Sequence, residues 1–433
     1  MPIIQALSKE GIAAAFFSGS VAGLPMEDER LIGVRLAILD MDLIGGNAKD
    51  KSKVAALINV LGRILHPNNG PYGILAWTKH KELVSMLDAQ ALSEDIAKPV
   101  FVASMRKPDF SIGPGQYDFG RVYAKLKTEI KVFSPLLFLG AWEQMSFDAA
   151  SAVTNALSTI SKPNSLQPES WRTQWKVQLL QLISEMVRAE TGQRVIDSPS
   201  TMLAFFGCLN PLHTDRMEAA LADTTKPLRT VARQLSKENS KGCGSELKAK
   251  INTMLHIAFD NVGTLQPGNL YKFPGIKAFQ TRLPGLEALA GELLQEIKKK
   301  DGDLDKEQMK SNREVIVSSS LPVLVEVSAV CDHAQDSVRF ARLLAGLLVP
   351  QEEMKKIKKA DFIWREGPFF VGPPVEKTGQ HWLVLSARYL VTLNRRSVTR
   401  LKPLARMRSQ LLTALQAWLG DHASRPGVLM LRG

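Results

Sequence analysis

Three cysteines in a chain of 433 residues, Cys208, Cys243 and Cys331, are too few and too scattered for a disulfide framework or a zinc knuckle. No run of about 18 uncharged apolar residues is found, so no spanning helix and no membrane partner are expected. The opening MPIIQALSKEGIAAAFFSGS lacks the basic flank and long apolar core of a secretory leader. Nothing there argues for export, and the cytoplasm is the expected compartment. There is no glycine-rich nucleotide loop, no catalytic serine motif and no metal-ligand cluster, which puts an enzyme acting on a small molecule last among the function classes. No repeat of fixed period occurs, so a solenoid is not favoured.

What the chain has in excess is positive charge. Lys and Arg number 55 against 43 Asp and Glu, a formal net charge of +12. A field of that sign favours nucleic acid, anionic lipid or an acidic protein as partner. Much of the excess sits in EIKKK (296–300), KKIKK (355–359) and NRRSVTRLKPLARMR (394–408). Lys355, Lys356, Lys358, Lys359, Arg395, Arg396 and Arg400 are therefore the candidates for contact with nucleic acid. Solvated helix faces are the plainer reading of such runs, and neither paired Cys/His fingers nor an aromatic RNP stretch accompanies them.

The pattern of apolar residues divides the chain into three. Residues 1–115 alternate strand-like runs (LIGVRLAILDMDL, YGILAWT, KPVFVASM) with amphipathic helices, as in KSKVAALINVLGRIL with Val54, Leu57, Ile58, Leu61 and Leu65 on one face. Such spacing predicts βαβ units and a parallel sheet. Residues 116–312 read as helix after helix, among them TKPLRTVARQLSKE, SELKAKINTMLHIAFDN and GLEALAGELLQEIKKK. Trp142, Trp171 and Trp175 are expected in that helical core, while His213 and His256 have no acid or Cys at ligand spacing. Residues 313–433 turn β-rich, with EVIVSSSLPVLVEVSAV, ADFIWREGPFFVG and GQHWLVLSARYLVTL as strands and LARMRSQLLTALQAWLGDHASR as a closing helix. Within VEVSAVCDHAQ (325–335), Cys331 and His333 read as a structural turn, with a ligand- or partner-binding loop as the alternative.

The head carries the one arrangement that suggests chemistry. In an open parallel sheet, reactive groups gather beyond the carboxyl ends of the strands. Asp40 ends one expected strand, Thr78 the next, and Lys107 follows the third. A carboxylate can act as a nucleophile, and a hydroxyl and an ammonium can hold the oxygens of a transferred phosphoryl group. Singly, each residue also has a structural reading, since Asp40 and Asp42 can cap a loop and Lys107 precedes Pro108.

With LAILDMDL, LAWT and RKP in this order, the head resembles the receiver domain of two-component response regulators, over about a quarter of the chain. The resemblance implies a flavodoxin-like parallel sheet in which Asp40 is the phospho-acceptor, Thr78 the switch hydroxyl and Lys107 the phosphate-pairing cation. Receivers also carry an acidic pair on their first strand that holds Mg²⁺. That strand is missing from this reading, and the acids of MEDER (26–30) precede the wrong strand. A Mg²⁺ held by Asp40 alone would be weak, so either a strand lies upstream or the receiver is degenerate, and no cofactor is expected unless the site works. Taken with GPYGILAWTKH, VEVSAVCDHAQ and ARMRSQLLTALQAWLGDHASRPG, the chain is similar to a bacterial family of response-receiver-domain proteins linked to multicomponent conflict (antiphage) systems. That likeness implies an adaptor whose catalysis is supplied by a partner kinase, ATPase or nuclease subunit. A non-enzymatic signalling adaptor is thus the leading expectation; a nucleic-acid-binding component and a genuine phospho-acceptor at Asp40 are the alternatives.

Overall fold

The computed structural model describes residues 13–18, 23–41, 50–80, 82–93, 96–114, 116–131, 134–164, 167–191, 201–223, 242–260, 262–272, 285–299, 303–334, 337–372 and 378–424, with positions 4, 7 and 233. Asp42, Gly45, Gly46 and, apart from Arg233, the expected helix TKPLRTVARQLSKE lie outside the described residues. The chain forms two compact units, one of residues 1–156 and 212–240, the other of 157–211 and 241–433.

The first unit is built on three parallel strands, β1 (Leu36–Asp40), β2 (Gly73–Thr78) and β3 (Phe101–Arg106), in that spatial order. Helices α1 (Asp50–Ile64) and α2 (Glu82–Ser93) make the crossovers. The central strand, GILAWT, is buried along its whole length. Its alternate side chains supply two separate layers, because successive residues of a strand point to opposite faces. Ile74 and Ala76 join Val54, Leu57, Ile58 and Leu61 of α1 and Leu83 and Leu87 of α2. Leu75 and Trp77 join Met105 on the other face, together with Val122 and Leu126 of a later helix, Phe119–Lys131. Trp77 packs edge-on against Tyr117 and tilted against Phe110, with ring centroids 5.2 and 5.7 Å apart. The strand can start where it does because residue 73 is glycine: a Cβ there would lie 2.2 Å from the Phe101 ring.

After β3 come the one-turn helix α3 (Lys107–Phe110) and a two-stranded hairpin, β4 (Ser111–Gly113) with β5 (Gln116–Tyr117). Helix α4 (Phe119–Lys131) follows, then α5 (Ser134–Ile160), the long helix α6 (Pro168–Thr191) and α7 (Thr201–Asp223). Trp171 and Trp175 stack on each other along α6, while Trp142 on α5 is 55% exposed, so the expectation that it packs in a core is corrected.

The second unit holds a curled, seven-stranded antiparallel sheet. Its strands are β6 (Ile257–Ala258), β7 (Asn269–Lys272), β8 (Leu321–Glu326), β9 (Phe340–Pro350), β10 (Ile363–Val371), β11 (Gly379–Asn394) and β12 (Pro403–Met407). They lie in the order β10-β11-β9-β8-β7-β12-β6. The helices that join them are α8 (Ser245–His256), α9 (Leu286–Leu293), α10 (Lys306–Ser319), α11 (Val330–Ala334), α12 (Arg395–Val398) and α13 (Ser409–Ser424). One face of the sheet packs Val323, Val325, Leu383 and Leu385 against Leu411, Leu412 and Leu415 of α13. Tight registry at the centre depends on Gly346, where a Cβ would meet the Val384 carbonyl oxygen at 2.2 Å. Helix α8 guards an edge: Asn252 Nδ2 donates to the Pro368 carbonyl (3.0 Å) and Thr253 Oγ1 accepts from the Phe370 amide (2.7 Å), both on edge strand β10. The chain then leaves α8 directly into β6, the opposite edge.

Several local readings of this region are corrected. EVIVSS is the end of helix α10, whose start is fixed by Asp305 accepting from the Gln308 amide at 3.1 Å. HIAFD and NLYK, inside the stretch expected to be all helical, contribute β6 and β7. LARM is strand β12, and the closing helix begins only at Ser409. Residues 330–334 form the short helix α11 instead of a turn. The mixed architecture of a parallel α/β sheet, a run of helices and a β-rich region closed by a helix is as expected at that level.

Candidate functional site

The parallel register decides which residues meet. Asp40 pairs with Trp77, Trp77 with Met105, and Thr78 with Arg106, so Asp40, Thr78 and the first residue of α3, Lys107, all emerge at one sheet edge. Lys107 Nζ donates to Asp40 Oδ1 at 2.6 Å. Its side chain is only 10% exposed, against 36% for that of Asp40. A lysine is rarely covered to this degree without a partner, and a charge-assisted bond at this distance is among the stronger kinds. Thr78 is fully buried, and its Oγ1 accepts the His80 amide at 2.9 Å, which fixes the turn that leaves β2.

The far end of the same strand region is anchored as well. Arg35, just before β1, donates from Nε to Glu143 Oε2 on α5 (2.8 Å) and from Nη2 to Oε1. That hydrogen bond holds the Glu143 carboxyl below its usual range and raises the Arg35 guanidinium. Both ends of β1 are thus fixed by ionic contacts to later elements.

The acids of MEDER are elsewhere. Glu27–Glu29 form a 3-10 turn in which Glu29 accepts from the Met26 amide and Glu27 faces Arg30. Among the described residues no three His, Cys, Asp or Glu side chains gather into a cation site. A Mg²⁺ site of the receiver type therefore does not fit the described residues at Asp40.

The basic candidates do not form one patch. Ile357, in the middle of KKIKK, packs in one cluster with Leu347 and Val349, towards one end of β9. Arg395 leaves β11 beside Arg339 and Phe340, at the other end. The two stretches are on the order of 25 Å apart, from a rise of about 3.4 Å per strand residue. Lys358 Nζ lies over the Phe362 ring, 5.2 Å from its centroid, and Lys356 is 2.5 Å from Glu353. Lys355, Lys359, Arg396 and Arg400 are exposed.

Near α11 the structure assembles a pair that the sequence did not announce. Glu326, the last residue of β8, is fully buried; its Oε1 accepts the Ser328 amide (3.1 Å) and its Oε2 lies 3.0 Å from His333 Nε2. The approach lacks the alignment of a hydrogen bond, so the contact is electrostatic. Cys331, two residues before His333 and hence on the other side of a helical turn, is exposed. The signal that was available is an acid inside an otherwise apolar strand, VLVEV. His213, on α7, turns its Nε2 to the Ser146 carbonyl at 3.0 Å and has a structural role.

No family model, curated protein or solved structure matches the chain. Among the described residues no helix is long and apolar enough to cross a membrane.

Proposed function

We propose that this chain is a signalling adaptor whose parallel-sheet head docks a partner protein and itself catalyses no reaction. The observation that carries the reading is the Lys107–Asp40 bond at the sheet edge that also carries Thr78. An acid, a hydroxyl and an ammonium in this order are what a receiver-like head needs to recognise or to mimic an acyl phosphate. Here the ammonium already offsets the carboxylate charge, and the described residues offer no second and third carboxylate for a divalent ion. A phosphoryl donor approaching Asp40 would meet a lysine already engaged with that carboxylate. The edge is thereby held in one electrostatic state, which suits a constant docking face better than a switch.

Intact-mass measurement after incubation with acetyl phosphate and Mg²⁺ tests this, on the wild type and on Asp40→Asn. The adaptor reading expects no mass gain in either. A gain of one phosphoryl group in the wild type, lost in Asp40→Asn, would replace it with a working phospho-switch in which Thr78 and Lys107 take part.

A further inference from the structure

The second unit contains a cleft whose chemistry is independent of the head. Residues after α9 run antiparallel to the KKIKK stretch: Gln295 N–H donates to the Lys356 carbonyl (2.8 Å) and Lys358 N–H to the Leu293 carbonyl (2.9 Å). The chain then folds back, with Lys299 N–H on the Asp303 carbonyl and Asp305 N–H on the Ile297 carbonyl, and enters α10. Between this hairpin, α10 and the 3-10 turn Gln351–Lys356 lies a cleft of about 380 Å³. Its walls carry Lys298, Lys355 and Lys356 against one carboxylate, Glu296. Lys356 is already held by Glu353. Lys298 and Lys355 have no acidic partner among the described residues.

The floor is more telling than the rim. Asn312, only 8% exposed, lines the cleft from α10. Its Oδ1 accepts from Gln308 Nε2 at 3.2 Å, which orients the amide. Its Nδ2 has no acceptor among the described residues. An amide donor placed at the cleft wall can donate to a ligand there. Two ammoniums against the single carboxylate of Glu296 leave the cleft positive, and with one oriented N–H group they suit an anion with several acceptor oxygens.

We propose that this cleft binds the terminal phosphate of a small phosphorylated molecule. Its volume falls at the lower end of the range of about 300–1,000 Å³ for small-ligand pockets. The wide separation of Lys355 from Arg395 along β9 removes the continuous basic track that a nucleic-acid backbone would need.

The test is calorimetric titration of the full chain at low salt with inorganic phosphate, ribose 5-phosphate and an eight-nucleotide single strand. Inorganic phosphate and ribose 5-phosphate should bind saturably at one site. Asn312→Asp keeps the acceptor for Gln308 but sets a charge where the donor was; it should weaken both ligands at least tenfold. The double variant Lys298→Gln/Lys355→Gln should do the same, and Lys359→Gln and Arg396→Gln should leave affinity unchanged. Unaltered melting of all variants shows that the fold is kept. Absence of saturable binding by either phosphate ligand at millimolar concentration overturns the proposal. So does an equal loss in Lys359→Gln, which would mean general charge attraction. Binding of the oligonucleotide that inorganic phosphate does not displace would also overturn it and would return the basic stretches to a nucleic-acid role.

Discussion

Glu326 and His333 offer the sharpest check on the energetics of the large sheet. Glu326 is fully buried on the same face of β8 as Leu324, opposite Leu343, and its carboxylate has two polar neighbours, the Ser328 amide and His333. Glu326→Leu orphans the Ser328 N–H and removes the carboxylate that His333 Nε2 faces at 3.0 Å, a buried pair broken on one side, at about 3–5 kcal/mol in all. His333→Leu leaves the carboxylate with the single Ser328 N–H and costs a similar amount. In the double variant only the Ser328 amide is orphaned, so the loss falls to about 1–2 kcal/mol. The two substitutions should therefore compensate each other by several kcal/mol, well beyond the few tenths expected of independent sites. Two-state unfolding is not a safe assumption for a chain of two units, so the measurement is amide hydrogen exchange in peptides from β8 and β9. Each single change should speed exchange there by about a hundredfold or more, at 1.4 kcal/mol per factor of ten, and the double change by about tenfold. A double variant that exchanges as fast as the product of the two singles would refute the reasoning, because the residues would then not be holding each other.

Two further outcomes follow from packing and burial. Gly346→Ala places a methyl group 2.2 Å from a backbone oxygen and should cost over about 3 kcal/mol or prevent the sheet from forming; Gly140→Ala, with nothing within 4 Å, should change stability by no more than about 1 kcal/mol, and equal melting of the two variants would contradict this. Burial pushes the hydroxyls of Tyr72 and Tyr271 up from 10.0 to about 12, in the first and second unit respectively. Their neutral forms favour the fold, so this stability is complete below pH 10 and is lost as pH rises through about 12; urea midpoints between pH 9 and 12 should fall less steeply in Tyr72→Phe and Tyr271→Phe, and an unchanged slope would count against the burial argument.

The parallel head was legible because each of its elements is locally determined. GILAWT is apolar on both faces, the apolar positions of α1 recur at helical spacing, and the crossovers have ordinary lengths. Asp40, Thr78 and Lys107 could be brought to one edge on that basis, although nothing in the sequence said that Lys107 would already hold Asp40. The second unit was less legible for a physical reason. Strands as short as Ile257–Ala258 and Asn269–Lys272 carry no periodicity of their own and exist because β12 and β8, well over 40 residues away, pair with them. In α10, Val315, Ile316 and Val317 imitate a strand, and only the Asp305 cap three residues before Gln308 marks the helix. A charge run hides local differences: KKIKK reads as one feature, but Lys356 turns to Glu353, Lys358 to Phe362, and Ile357 into the core. The Glu326–His333 contact joins residues seven apart only because α11 folds back over the end of β8.

The grip of α8 on β10 has a bearing on how copies of this chain can meet. An open strand edge is a template on which a second molecule can add a strand and begin an ordered aggregate. On β10 the Phe370 amide and the Pro368 carbonyl are already taken by Thr253 and Asn252, and Pro368 has no amide to offer. Strand-by-strand polymerisation is thereby closed along this part of the edge.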